Sequence, residues 1–128
     1  MVDGVLEFPA YGDSVLPVRF VVDTGAGRTI LGPIQVMELE ALAGVTAKNI
    51  GAADFGWGIG GTATGRNVRS QLTLFREDGE PWTRTLDVFL LPESEDNDSR
   101  TPALLGRDIL REIAVLVDLP HHAVVFYD

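Results

Sequence analysis

Leu16, Val18, Phe20 and Val22 occupy every second position of one stretch, and that stretch stops at Asp23-Thr24-Gly25-Ala26. Apolar residues at period two describe a β-strand with one buried face. A chain carrying such a strand must build a sheet around it. The strand also delivers a single carboxylate to its own end, and an acid held at the edge of a hydrophobic strand is a candidate functional group. Thr24 is suited to lock the turn with its hydroxyl, and Gly25 lets another backbone come close. The same triplet also fits an ordinary Asx-type turn after a strand. Its meaning therefore depends on what else the chain carries.

The rest of the chain is mostly of the same period. Gln71, Thr73 and Arg76 interleave with Leu72, Leu74 and Phe75 in a second strand. Glu77-Asp78-Gly79-Glu80 reads as a hairpin turn, because Asp-Gly between strand-like runs supplies the backbone conformation that a tight turn needs. The returning strand is expected over residues 85–91. Residues 114–118 and 123–127 read as a second hairpin, joined through Leu119-Pro120-His121-His122. Two helices are expected. One begins at Gly32-Pro33, with proline at the first helical position, and stops near Gly44. The other covers residues 107–113. Many short strands with little helix predict an all-β fold, a small closed or partly closed β-barrel with one or two short helices.

Two further segments bear on Asp23. Trp57-Gly58-Ile59-Gly60-Gly61-Thr62 is dense in glycine and lies between strand-like runs. Ala103-Leu104-Leu105-Gly106-Arg107-Asp108 is an apolar pair, a glycine and the start of a helical segment. In this order and spacing the three segments resemble the retroviral-type (retropepsin-like) aspartic peptidases, in their cellular or prokaryotic branch. The resemblance spans roughly residues 15–118, so the whole chain, 1–128, is read as one retropepsin-like aspartic peptidase domain. It implies a barrel of the retropepsin type that pairs as a two-fold dimer, with Asp23, Thr24 and Gly25 as the catalytic turn. Thr24 is then expected to hydrogen-bond across the two-fold axis, and Gly25 to leave its backbone open to substrate. Gly58, Ile59, Gly60 and Gly61 correspond to the tip of a mobile flap, and Trp57 is read as flap packing or as a pocket wall. Together with Ala26 and Gly27 they form the expected substrate-binding set. Leu104 and Leu105 are expected to pack behind the catalytic turn. Ala26 stands where some relatives carry a hydroxyl that stabilises the charged acid, and its absence favours a less acidic working pH. One departure is clear. Where the retroviral enzymes carry acids after Asp-Thr-Gly-Ala, this chain has Gly27 and Arg28, so the acid that pairs with the motif arginine, here Arg107, is missing. Asp108 stands in place of a frequent asparagine.

Peptide hydrolysis of this kind needs two carboxylates facing one water, one charged and one protonated. The chain holds a single Asp-Thr-Gly, while Asp3-Gly4 and Asp78-Gly79 sit in terminal or turn contexts. The second carboxylate is most simply supplied by a second copy of the chain, with a two-fold axis between the two Asp23 side chains. The expected activity is an aspartic endopeptidase acting on peptide or protein substrates as a homodimer. A non-catalytic peptide-binding or dimerisation module on the same fold is the alternative.

Composition narrows the field further. The chain has 128 residues, a length for one core and not for two lobes. Ten Lys and Arg stand against 19 Asp and Glu, a formal net charge of −9. That balance disfavours nucleic acid and anionic membrane surfaces as partners. With no cysteine there is no disulfide, zinc thiolate site or cysteine nucleophile. No cofactor and no metal are expected. His121-His122 reads as a solvated turn and Glu93-Ser94-Glu95-Asp96-Asn97-Asp98 as a solvated acidic loop, which lacks the glycine and terminal glutamate of a calcium loop. Gly58-x-Gly60 is only half of a dinucleotide fingerprint, and no helix follows it. Residues 1–10 do not read as a signal peptide and no apolar run is long enough to span a membrane, so a cytoplasmic location is favoured. The chain is also compatible with being one domain of a longer protein.

Overall fold

The alternation at residues 16–22 becomes a strand because only a pleated backbone sends Leu16, Val18 and Phe20 to one side. All three are buried, whereas Val15, Pro17 and Arg19 between them are exposed. The computed structural model describes the backbone of residues 1–12, 14–58, 61–92, 100–118 and 123–127. Side chains are described for the same residues except 54–58, 61–64, 114–118 and 123–127.

The chain opens with β1 (Val2–Phe8), a strand that the sequence reading did not separate from its surroundings. It pairs antiparallel with β2 (Ser14–Val22) from Val2↔Phe20 to Phe8↔Ser14. After the loop that carries Asp23 comes β3 (Ile30–Leu31), only two residues long. Helix α1 (Pro33–Ala43) follows, with Gly32 at its N-cap and Gly44 as a left-handed C-cap at φ 71°. The Gly44 N–H donates to the Glu40 carbonyl, closing the last turn. Both helix ends are where Pro33 and Gly44 predicted them. Val36 and Leu39 anchor the helix to the core.

A long hairpin then forms from β4 (Ala52–Gly58) and β5 (Gly61–Phe75), paired from Ala52↔Asn67 to Gly58↔Gly61. β5 continues past the hairpin and pairs with β6 (Pro81–Leu90) from Arg66↔Leu90 to Phe75↔Pro81. The Asp78-Gly79 turn joins them as expected. Gly79 has φ +87°, and the Asp78 carboxylate accepts from the Glu80 N–H at 2.9 Å. β6 begins four residues before the expected 85, because Trp82 turns inward and is buried. Phe75 falls on the outward phase of β5 and is 51% exposed, while Leu72 and Leu74 are fully buried. Grouping Phe75 with them was therefore incorrect, since strict period two puts position 75 on the opposite face.

Next come β7 (Leu104–Leu105) and α2 (Arg107–Leu110). The second helix is shorter than the expected 107–113. It stops after one turn, and Ile113 packs against the core just before β8 (Ala114–Asp118). β8 and β9 (Ala123–Tyr127) form a separate antiparallel hairpin with the predicted bounds.

The sheet runs β1-β2-β7-β3-β6-β5-β4, and a further pairing of β1 with β5 from Gly4↔Leu74 to Glu7↔Gln71 brings its ends together. Six strands thus close into a barrel, and β4 extends from β5 outside the ring. The expected all-β barrel with short helices is what forms. Phe8, Phe20, Leu6, Leu16, Leu31, Leu39, Ile50, Leu72, Leu74, Leu90 and Leu105 form the core and are fully buried. Each such side chain contributes about 1.5–3 kcal/mol relative to exposure. No helix among the described residues is long and apolar enough to cross a membrane.

Candidate active site

The loop between β2 and β3 holds Asp23, and its shape follows from an interruption in the barrel. β2 and β3 are neighbours in sequence but not in the sheet, because β7 is inserted between them. β7 runs parallel to β2, with Val21↔Leu104 and Val22↔Leu105, and antiparallel to β3 at Ile30↔Leu104. Residues 23–29 must therefore arch over the end of β7. The Asp23 N–H donates to the Leu105 carbonyl at 3.1 Å, so the acid's own backbone is the last rung of that ladder. Leu104 and Leu105 thus stand behind the Asp23 turn, as the motif reading expected, with Leu105 fully buried.

The turn is held by the acid itself. The Gly25 N–H donates to Asp23 Oδ1 at 2.9 Å, and the Ala26 N–H donates to the Asp23 carbonyl at 3.2 Å. This is the Asx-type closure that an aspartate makes with its own following backbone. It orients the half-buried carboxylate. Thr24 and Gly25 are exposed at the tip, and the Thr24 hydroxyl makes no hydrogen bond among the described residues. Within one chain the lock expected from Thr24 is supplied by Asp23 instead. Ala26 is buried, and both its N–H and its carbonyl are used internally, the carbonyl by the Arg107 N–H at 2.8 Å.

Behind the loop lies a network that spans most of the sequence. The Asp108 carboxylate accepts from the Thr29 N–H at 2.9 Å, the Thr29 hydroxyl at 2.8 Å and the Ile109 N–H at 2.9 Å. Thr29 is fully buried, and its Oγ1 also accepts from the Gly106 N–H at 3.3 Å. Gly106 is required by space. A Cβ there would stand 2.3 Å from the Arg28 carbonyl oxygen and 2.4 Å from its carbon. The Gly-Arg-Asp segment is thus one structural unit. Its glycine admits the loop, its arginine backbone caps Ala26, and its aspartate pins Thr29. The Arg107 Nη1 adds a bond to the Thr24 carbonyl at 3.1 Å.

A cleft of about 570 Å³ opens beside this turn. Gly25, Gly27 and Leu86 form part of its wall, and Arg28, Asp87, Arg107 and Asp108 supply charge. Asp23 stands next to the wall and is not itself part of it. Arg28 was noted in the sequence only as a departure. In the structure its guanidinium lies over the Phe89 ring, 4.8 Å from the centroid, and Nη2 donates to Asn67 Oδ1. Asn67 pairs with Ala52 at the base of the β4–β5 hairpin, so Arg28 ties the hairpin base to the cleft.

The β4–β5 hairpin contains the glycine-dense segment of the sequence. Its strands carry Trp57, Gly58 and Gly61 in register, with Trp57↔Thr62 and Gly58↔Gly61. Ile59 and Gly60 lie outside the described residues, as do Glu93-Ser94-Glu95-Asp96-Asn97-Asp98 and His121-His122. The hairpin base is clamped. The Gly51 N–H donates to the Tyr11 hydroxyl at 2.7 Å, and Arg66 donates to the Ile50 and Gly51 carbonyls at 2.8 Å each. The sequence offered no sign of Tyr11 or Arg66, whose partners lie 40 and 15–16 positions away. Among the described residues no group of three or more metal-ligating side chains comes together.

No protein-family model matches the chain, and no match was found among curated proteins.

Proposed function

We propose that the protein is an aspartic endopeptidase of the retropepsin-like family, active as a homodimer in which each copy contributes Asp23. The observation that carries this reading is the setting of that acid. It sits half-buried at the end of a barrel strand, on a turn braced from behind by an inserted Leu-Leu-Gly-Arg segment, and beside a cleft of ligand size. One acid of this kind per chain requires a second copy to complete a pair.

The chemistry then follows from two carboxylates about one water. The charged Asp23 takes a proton from the water as its oxygen bonds to the scissile carbonyl carbon. The protonated Asp23 of the other copy gives its proton to the carbonyl oxygen. The gem-diol then collapses as the first Asp23 passes its proton to the amide nitrogen and a gem-diol hydroxyl returns a proton to the other Asp23, and the carbon–nitrogen bond breaks to leave an acid and an amine. The Gly25 N–H on Asp23 Oδ1 serves to fix the acid's orientation for this step. Gly25 and Gly27 leave the wall free of side chains where a substrate backbone would lie.

Asp23→Asn is the direct test. The amide nearly preserves shape, so folding is expected to survive while cleavage of a peptide library falls by about a thousandfold or more. Wild-type cleavage is expected to be blocked by a statine-type peptide, and sedimentation is expected to give a dimer. Wild-type turnover in Asp23→Asn, or full activity in a strict monomer, would refute this reading. Peptide binding without any cleavage would instead identify a non-catalytic binding module.

A further inference from the structure

The β4–β5 hairpin leaves the barrel as a two-stranded arm. β6 pairs with β5 only as far as Arg66↔Leu90. Among the described residues, the part of β5 before Arg66 pairs with β4 alone, and β4 pairs with β5 alone. We infer that this arm moves as one body about its root, that Tyr11 and Arg66 latch it, and that Arg28 passes its position to the cleft. Such a coupling needs no particular ligand in the cleft, so its failure and that of the peptidase reading are distinguishable.

A two-stranded hairpin is marginal by itself, so the fastening at its root decides how often it opens. Each strand has a glycine there that space requires. Gly51 has φ +61°, and a Cβ on it would stand 1.8 Å from the Asn67 carbonyl oxygen. On the other strand, a Cβ at Gly65 would stand 2.3 Å from the Leu90 carbonyl oxygen and 2.5 Å from Phe89 Cζ. Gly51 is exposed and directly precedes the ladder, which begins at Ala52↔Asn67. Side chains hold both of its backbone groups. Its N–H donates to the Tyr11 hydroxyl at 2.7 Å, and its carbonyl accepts from Arg66 Nη2 at 2.8 Å. Arg66 Nε holds the preceding carbonyl, that of Ile50, at 2.8 Å. Tyr11 lies in the connection between β1 and β2, so its bond joins the arm to the closed ring. Bonds of this kind, exposed to water, cost little to break and re-form.

Two contacts lead from the root to the cleft wall, and both end on Arg28. Its Nη2 donates to Asn67 Oδ1, and its guanidinium lies over the ring of Phe89, which stands against Gly65. Arg28 lines the cleft. Moving the arm therefore disturbs a cation in the cleft wall, and by linkage whatever fixes that cation biases the arm.

Amide hydrogen exchange on the intact protein, followed by NMR without any ligand, provides the test. Tyr11→Phe is expected to speed exchange about fivefold at the ladder amides of residues 52–58 and 61–65, the net worth of one hydrogen bond, while the β1–β2 ladder keeps its wild-type rates. Arg66→Met removes two bonds and is expected to speed the same amides further. Arg28→Met keeps an apolar cover on Phe89 but loses the bond to Asn67. It is expected to speed the arm amides about threefold, although residue 28 lies outside the hairpin, and the factor should multiply with that of Tyr11→Phe. Asp87→Asn, on the same cleft wall and paired with Arg69, is the control and should leave the arm rates unchanged. Wild-type arm rates in both Tyr11→Phe and Arg66→Met would overturn the latch. Equal acceleration of the β1–β2 ladder would overturn it too, as a loosening of the whole barrel. Wild-type arm rates in a folded Arg28→Met protein, or an equal acceleration by Asp87→Asn, would overturn the relay to the cleft.

Discussion

Asp108→Asn tests whether the network behind the Asp23 turn is held by charge or merely by shape. Asp108 Oδ1 accepts from the Thr29 hydroxyl and the Ile109 N–H, and Oδ2 accepts from the Thr29 N–H. An asparagine has one acceptor and one donor in those places, and neither orientation satisfies all three partners. With its NH₂ toward the Thr29 N–H, two donors face each other at a residue that is fully buried. With the amide flipped, that bond survives. The Ile109 N–H then meets a donor, but it still has the Gly106 carbonyl at 3.1 Å to fall back on. The flipped state is therefore favoured, and its cost is one backbone bond weakened plus two charge-assisted bonds reduced to neutral strength. Charge-assisted bonds contribute about 1.5–3 kcal/mol and neutral ones about 1, so the loss is about 2 kcal/mol. For a chain of 128 residues that is a fall in Tm of about 6–10 °C. Asp108→Ala, which leaves the Thr29 N–H and hydroxyl buried without an acceptor, is expected to cost more, about 3–4 kcal/mol. Asp87→Asn is the control. Its pairing with Arg69 is exposed on both sides, and its loss is worth under about 1 kcal/mol. Thermal and urea unfolding, followed by circular dichroism at one fixed protein concentration, ranks the three. If Asp108→Asn melts with the wild type, or Asp87→Asn falls as far, the charge-held network is the wrong account.

Gly106→Ala is expected to destabilise by about 2–4 kcal/mol in a urea titration, because the new methyl group lands 2.3 Å from the Arg28 carbonyl oxygen and the loop must move to admit it. Gly51→Ala is expected to loosen the base of the β4–β5 hairpin. Its φ is +61° and its Cβ would stand 1.8 Å from the Asn67 carbonyl, so amide exchange there should speed up well before global unfolding does. On the proposed mechanism, which calls for one charged and one neutral carboxylate, peptide cleavage is expected to be bell-shaped in pH; a profile flat from pH 3 to 8 would count against that mechanism.

The residues 16–22 alternation, the Asp78-Gly79 turn and both ends of α1 were readable from the sequence because each depends on near neighbours. Period two is a property of one strand, a left-handed turn needs its own glycine, and Pro33 and Gly44 act within a single helical turn. The Asp23-Thr24-Gly25 triplet was legible for the same reason, as a local turn at the end of a patterned strand. Phe75 shows the limit, since hydrophobicity suggested burial but its phase on β5 sends it to solvent. β3 and β7 had no signature, because two residues are too few to display a period. They are strands only by virtue of being wedged between neighbours that lie far off in sequence. The closure of β1 on β5, the clamp of Tyr11 on Gly51, and Asp108 on Thr29 across 79 positions are likewise products of the folded chain. Local pattern was enough to find the longer strands β2, β6, β8 and β9 and the carboxylate that stands at the end of β2. What braces that carboxylate, and which charges line the cleft beside it, came from the folded chain, because those contacts join residues that local pattern cannot relate.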